Sequence, residues 1–569
     1  MIATRVSATL MLVLWAGCTG AVGGGDIQRP TGPAGNDPGD PGTLPPGGGG
    51  PGSGGVLCQE TAPLVAAARR LTRDQYVNTL RDLLGDSAIA MAQQIAKDDS
   101  SATIAFDPRS LIVSPDWASD AMTVAEAVAK GAVANITSIA PCATPANEQG
   151  CATTFITTFG KRAYRRPLDL AEVDGLKKIY DIGAKNGGYS HGVEVVLRGM
   201  LQSPAFLYRL ELGQKAGSTA GSVKLSSHEV ATRLAFLLWN STPDQALLDA
   251  ADGNKLGTDA EIAAAARRLL ADPRARETLT SFHGRWFGIG GLSEVPKDPA
   301  KYPQFDDKLI TAMSTEVKMF VDDVLFKGDG RMESLFTSGF TYVDATLAPL
   351  YKVAAPAGGA FTRVDLNPAQ RAGILTNAGI ISAHTFDDAS QPIHRGKFVR
   401  EALLCTVLPD PPPDLNVMPP VPTPGVSTRQ KLIEHSNTPS CKVCHVMMDP
   451  IGFGFEGYDG LGRFLTVDSN GQPVDNSGEL TGTKDADGPF HGAVELSKKL
   501  STSASVRDCL IGNVVRFAQG PDAADDSCVQ QKMNAAFDAT KHDVKELFVS
   551  MARVDSFRYR RAIAGEVLP

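Results

Sequence analysis

From Leu57 onward the chain repeats one pattern: apolar residues spaced three and four apart, interrupted by proline and glycine. A helix with one apolar stripe cannot bury it alone, so such a chain must fold by packing helix on helix. Thr72-Arg73-Asp74-Gln75 is a capping box, with Leu71 and Tyr76 placed as a hydrophobic staple; Ser226-Ser227-His228-Glu229 is a second box. Other amphipathic stretches run near 151–164, 169–184, 189–203, 259–271, 274–287, 305–326, 394–405, 427–436, 491–500, 504–517 and 528–552. Strand signals are few. The best is 464–475, where Asn470-Gly471 sits between short apolar segments as a hairpin turn. The fold expected is mainly α, a multi-module helical scaffold with one short β-hairpin.

The prolines of 409–425 remove backbone donors and disfavour helix for the residue before each. That stretch is expected to be a stiff connector separating a large helical body from a C-terminal segment. Composition narrows the function classes. With 43% apolar and 21% charged residues among 569, the chain is globular overall. Its 55 basic and 63 acidic side chains, net −8, give no phosphate-binding surface, so no nucleic-acid partner is expected.

Residues 1–18 carry one basic residue, Arg5, then an apolar run from Leu10 to Trp15, then Ala16-Gly17-Cys18. That is the layout of a secretory signal, too short to span a membrane. Leu14-Trp15-Ala16-Gly17-Cys18 is also similar to a bacterial lipobox, which makes Cys18 the lipidation site. Residues 19–56 are dense in glycine and proline and read as a spacer. The expected location is therefore outside the cytoplasm: an outer-membrane lipoprotein, or the periplasm or cell surface of a bacterium, attached to membrane through the N-terminal lipid only.

Cys441-Lys442-Val443-Cys444-His445 is the sharpest motif in the chain. C-x-x-C-H is the attachment signature of a c-type haem: two thiols one helical turn apart form thioethers to one porphyrin, and the adjacent imidazole becomes the proximal iron ligand. The competing readings are a Cys441–Cys444 redox disulfide or half of a zinc site. Zinc would want a second Cys/His pair, and Cys509 and Cys528 have no histidine close by; a thioredoxin-like motif would want a βαβ context. Met447 and Met448 follow His445 too closely to reach the other haem face. Distal-ligand candidates are His384 and His435, with His394, His491 and Met418 behind them. Arg463 is a candidate haem-propionate partner, or else a local partner of Glu456 or Asp459. Asp449-Pro450 reads as a helix cap, and Asp468 to Asp475 as a hairpin turn rather than a calcium loop.

Residues 441–463, CKVCHVMMDPIGFGFEGYDGLGR, resemble the haem-motif segment of the planctomycete-type cytochrome c-associated multi-domain family, catalogued as domains of unknown function 1587, 1595, 1592, 1588 and 1585. The matching positions are Met448, Asp449, Pro450, Gly452, Phe453, Glu456, Asp459, Gly462 and Arg463. Residues 371–405 resemble the first half of the same module. Residues 69–86 and 159–176 resemble the two N-terminal modules, 225–251 with 282–287 the central one, and 509–560 the small C-terminal one. The resemblance implies an exported protein with one covalent haem c, and a series of modules: signal 1–18, linker 19–56, helical modules 57–140, 141–213 and 214–355, the motif module 356–480 with its small cytochrome c-like segment, and a C-terminal helical module 481–569. It implies no substrate.

The expected function is one-electron transfer or a haem-dependent oxidation, with a redox partner protein or a small or polymeric substrate that cannot be read. The alternative is a non-enzymatic surface scaffold, of polysaccharide-binding type, with a structural haem or a Cys441–Cys444 disulfide. Against that, aromatic content is 7%, and Trp239 and Trp286 sit in amphipathic helices. Of nine cysteines, one is assigned to lipid and two to haem, leaving six for an oxidising compartment. Cys142–Cys151 and Cys509–Cys528 close short loops, and Cys58–Cys405 follows by elimination.

Overall fold

Capping chemistry fixes where the helices begin. Thr72 accepts a hydrogen bond from the Gln75 amide while the Gln75 side chain reaches back to Thr72, opening the helix Arg73–Leu84. The Ser226/Glu229 pair opens Ser227–Trp239 in the same way. The computed structural model describes residues 68–96, 98, 111, 113–142, 144–219, 221–386, 392–409, 425–437, 439–468, 470–520 and 526–568. The signal and linker, Cys18, Cys58, Met418 and most of the proline-rich stretch lie outside the described residues. Residues 58–569 form one compact unit.

The helices largely follow the periodicity, with three kinds of difference. Pro115–Val133 is a long helix that the apolar spacing did not single out. The stretch 528–552 is two helices, Ser527–Ala539 and Val544–Arg553, broken where Lys541 and His542 adopt φ of 55° and 61°. Conversely, 169–184 and 189–203 join as Leu170–Leu201, kinked at Gly187 and Gly188.

Strands exceed expectation. Four small antiparallel sheets lie among the described residues. Tyr559–Arg561, almost at the end of the chain, pairs with Ser222–Lys224, and Ala68–Arg70 pairs with Tyr208–Leu210. The Asn470-Gly471 turn is present, with Asp468 N donating to Gln472 O at 2.8 Å, but its arms share only the bridge Val467↔Pro473. Asp468 spends its carboxylate on the amides of Thr428, Asn470 and Gln472, as a turn residue does. The regular hairpin follows, Ser477–Leu480 with Gly488–His491.

One buried core gathers Trp239, Trp286 and Phe320 with Phe398, Ile451 and Phe455, and with Leu510 and Phe548. The proline-rich stretch therefore does not divide the chain into separate bodies: residues on both sides of it share this core. A second core holds the N-terminal helices around Tyr76, Trp117, Ile156 and Leu197.

Cys142–Cys151 is a disulfide, as the short loop suggested, with Cα atoms 5.5 Å apart. The other two pairings were wrong. Cys405 joins Cys509, Cα atoms 5.4 Å apart across 104 residues of sequence, in place of Cys509–Cys528 and Cys58–Cys405. Cys509 lies on the buried face of the helix Ala504–Gln519, which packs on the turn Val399–Leu403 just before Cys405, and its Sγ lies 3.3 Å from Ala402 O. Packing brought those two together; the nearness of Cys528 in sequence did not. Cys528 is disulfide-bonded as well, to a partner outside the described residues.

Candidate cofactor site

The motif sits on one helix, Pro439–Gly452. Proline at its first position forfeits no bond, because the first helical amides have no partner inside the helix. Pro450, within the last turn, cannot donate to the carbonyl four residues back, and the helix ends two residues later. Asp449-Pro450 is thus near the helix end and does not cap its start.

The short helix Pro392–Phe398 crosses the motif helix with backbones in contact. A Cβ on Gly396 would lie 2.0 Å from Met448 O, and one on Gly452 would lie 1.9 Å from Pro392 O. Neither position admits a side chain. Three arginines then fasten the segment. Arg395, 1% exposed, donates to the carbonyls of Phe455, Tyr458 and Asp459 and twice to Thr385 Oγ1, at 2.7–3.0 Å. Arg400 donates to Met447 O at 2.7 Å and to Thr481. Arg371 donates to Thr376 O and Gly462 O, its guanidinium 4.7 Å and 4.9 Å from the Tyr351 and Tyr458 ring centres.

On the helix so fixed, Cys441 and Cys444 are thiols, the first buried and the second half-exposed. The disulfide reading of the pair is not what the structure holds. Cys444 Sγ lies 3.8 Å from Pro409 O. His445 follows, its side chain 14% exposed, with Nδ1 3.0 Å from both Asp449 carboxylate oxygens. Asp449 is one turn further along the same helix, 4% exposed, and also accepts from Ser436 Oγ. A carboxylate at this place holds Nδ1–H and fixes the ring, so that Nε2 is the nitrogen through which the imidazole would bind a metal. Among the described residues, no three His, Cys, Asp or Glu side chains converge as a metal site.

The other candidates scatter. His384 places Nε2 2.9 Å from Phe287 O and stacks on Phe398, ring centres 3.8 Å apart. Burial pushes its pKa down to about 4, so the ring is neutral and donates from Nε2. No contact among the described residues joins it to His445. His435 lies in the helix Thr428–Ser436, its side chain outside the described residues. Arg463 pairs with Asp459, Nε to Oδ2 at 2.5 Å, so the local partner prevails over a propionate here. Asp459 also accepts from the amides of Leu461 and Arg463. Glu456 is 6% exposed, and burial, opposed by Arg429, lifts its carboxyl to about 8.

Sequence reading missed the role of Asp449, although His445 and Asp449 are four apart and a helix puts such a pair on one face. Nothing local marked Arg371, Arg395 or Arg400, whose acceptors lie 47 to 91 residues away except at Thr376 and Thr385.

Comparison with known families follows the same order along the chain. Residues 69–134 match the model PSD3, a protein of unknown function (DUF1587). Residues 151–211 match PSD5, a protein of unknown function (DUF1595), and 225–353 match PSD4, a protein of unknown function (DUF1592). The motif helix falls within 371–468, which match PSCyt3, a protein of unknown function (DUF1588). No curated protein and no solved structure matches the chain. Four such modules in series, the last spanning C-x-x-C-H, mean that the chain belongs to the planctomycete-type cytochrome c-associated multi-domain family.

Proposed function

We propose that the chain is an exported, lipid-anchored haem c protein, with Cys441 and Cys444 as the thioether anchors and His445 as the proximal ligand. The observation that carries this is the pairing of His445 Nδ1 with the buried Asp449 at 3.0 Å, on the helix that also presents both thiols. This donor set fits the group. Two thiols one turn apart match two attachment points, and a carboxylate behind the proximal imidazole makes it a stronger, better-oriented ligand. A haem so held supplies a one-electron couple. The residues around it do the rest: Gly396 and Gly452 let the helices touch, and Arg395 and Arg400 keep the motif segment from shifting when charge changes nearby.

Export and anchoring rest on the signal-like run ending at Cys18, and the name of the model spanning the motif, PSCyt3, agrees with a cytochrome. The reading as a polysaccharide-binding surface scaffold draws no support from the tryptophans, since Trp117, Trp239 and Trp286 are all buried. The test is expression with a haem c maturation system. Haem that stays with the denatured chain and gives a pyridine haemochrome spectrum is the expected result. Its absence, or its persistence in Cys441→Ala/Cys444→Ala, sinks the proposal.

A further inference from the structure

Far from the motif in sequence, arginines converge that outnumber the carboxylates around them among the described residues. A cavity of about 40 Å³ lies where Ala68–Arg70, Tyr208–Leu210, Ser227–Trp239 and Ala504–Gln519 meet, lined by Arg69, Arg70, Arg209, Arg285 and Arg516 among others. At ~10–15 Å³ per water it has room for a few waters or one small anion.

Two of the five are balanced: Arg70 by Asp98 at 2.8 Å and Arg285 by Asp74 at 3.0 Å. The other three are not. Arg69 is 5% exposed and donates from Nη2 to Gln519 O, but its Nε is buried with no partner. The Arg209 guanidinium makes no hydrogen bond to any described residue; its Nε is buried and unpartnered, and it stands 5.2 Å from the Phe236 ring centre. Among the described residues, the Arg516 guanidinium reaches the Asn513 amide oxygen at 3.0 Å and, at 4.0 Å, Cys405 Sγ. The buried carboxylate of Glu211 attracts Arg69 and Arg209 as well, but its hydrogen bonds go to Arg233, at 2.9 and 2.6 Å. Burial, and then Arg69, push the Arg209 pKa down to about 9, against the opposing attraction of Glu211.

Buried polar groups are normally satisfied, and a buried charge normally has a counter-charge. We propose that this cavity is a binding site for a small divalent oxyanion, sulfate or phosphate in type, held by Arg69, Arg209 and Arg516. Three guanidiniums present forked donors that suit a tetrahedral oxyanion, and they carry the charge to match it. A second, larger cleft of about 650 Å³ shares Arg285 and Asn240 with this cavity. The oxyanion is therefore either a free ion or the charged end of a larger polar ligand whose body lies in that cleft.

Titration calorimetry on the full chain tests this, with sodium sulfate, sodium phosphate and methyl phosphate, against sodium chloride at matched ionic strength. One saturable site for sulfate or phosphate is expected, weakened about tenfold or more in Arg209→Met and in Arg516→Gln, since each loses a charge-assisted bond. Methyl phosphate binding as well as phosphate identifies an esterified ligand, and exclusion of the ester identifies a free ion; both fit the proposal. Arg516 is half-buried, so that variant keeps the test open if Arg209→Met does not fold. No saturable heat beyond chloride, or undiminished affinity in both variants, overturns the site.

Discussion

Around the motif helix, Arg371, Arg395 and Arg400 are buried and engaged: each donates two or more hydrogen bonds to backbone carbonyls and threonine hydroxyls. At the arginine cavity Arg69 is as buried, and Arg209 and Arg516 are half-buried, yet the Nε of both Arg69 and Arg209 is left without a partner. The same side chain thus does two jobs, and satisfaction tells them apart. A guanidinium ringed by carbonyls is a rivet whose value is geometric; one facing a cavity with idle nitrogens is waiting for a ligand. Stability measurements can break that distinction, and they should fall in a definite order.

Arg395→Met should cost most. It leaves the carbonyls of Phe455, Tyr458 and Asp459 buried without their donor, at about 3–5 kcal/mol, read from denaturant unfolding. Arg395→Lys should not rescue it, because an ammonium cannot span three acceptors and Thr385 at once. A loss under about 1 kcal/mol would mean that other contacts hold the motif loop.

Glu456 comes next and is read by pH. Its folded pKa is raised from 4.5 to about 8, so the folded chain keeps a proton that the unfolded chain has released. Stability from this group is complete below pH 4.5 and declines as pH rises toward 8, by at most ~1.4 kcal/mol per unit. Glu456→Gln should flatten that decline and be the more stable form at pH 8. His384 works in the opposite sense. Its folded pKa of about 4 lies below the ordinary 6.5, so its contribution holds above 6.5 and is lost as pH falls through 4. A parent whose stability rises between pH 7 and 8 would contradict the Glu456 assignment.

Asp449→Asn is smaller still for the fold, about 1 kcal/mol, since an amide can keep part of the hydrogen bonding to His445 and Ser436. Its larger effect should be on the ligand: in haem-loaded protein, His445 should be displaced by added imidazole about 10–100-fold more readily, followed at the Soret band. Unchanged competition would show that Asp449 only supports the helix.

Much of this was legible in the sequence, and the divide is physical. Capping boxes, helix periods and C-x-x-C-H are local, so 72–75, 226–229 and 441–445 were readable without any fold. The Cys142–Cys151 bridge closes within nine residues and was readable for the same reason. The Cys405–Cys509 bridge and the three arginine rivets depend on which helices meet, which no window of sequence contains. The glycine pair Gly396 and Gly452 lies between these cases. Both residues were visible within family-like segments, but only the crossing explains why neither can carry a Cβ. The arginine cavity gave no signal at all, since Arg69, Arg209 and Arg516 are strung over more than 400 residues.

The smallest effect is the most discriminating, because its sign separates the two classes of arginine. The Arg209 guanidinium forms no hydrogen bond with the described protein, and Arg69 and Arg233 repel it while Glu211 attracts it. Replacing Arg209 with methionine keeps the volume and the contact with Phe236 while removing a charge that Glu211, shared with Arg233 and Arg69, neutralises only in part. In chloride buffer, Arg209→Met should therefore unfold within about 1 kcal/mol of the parent, and on the stable side. Adding sulfate should raise the parent above the variant, because only the parent gains the linkage stabilisation of a filled site. If Arg209→Met is instead destabilised by 3 kcal/mol or more, in the range of ~3–5 expected for Arg395→Met, and sulfate does not change the gap, then Arg209 is a rivet too, and the contrast between the two regions fails.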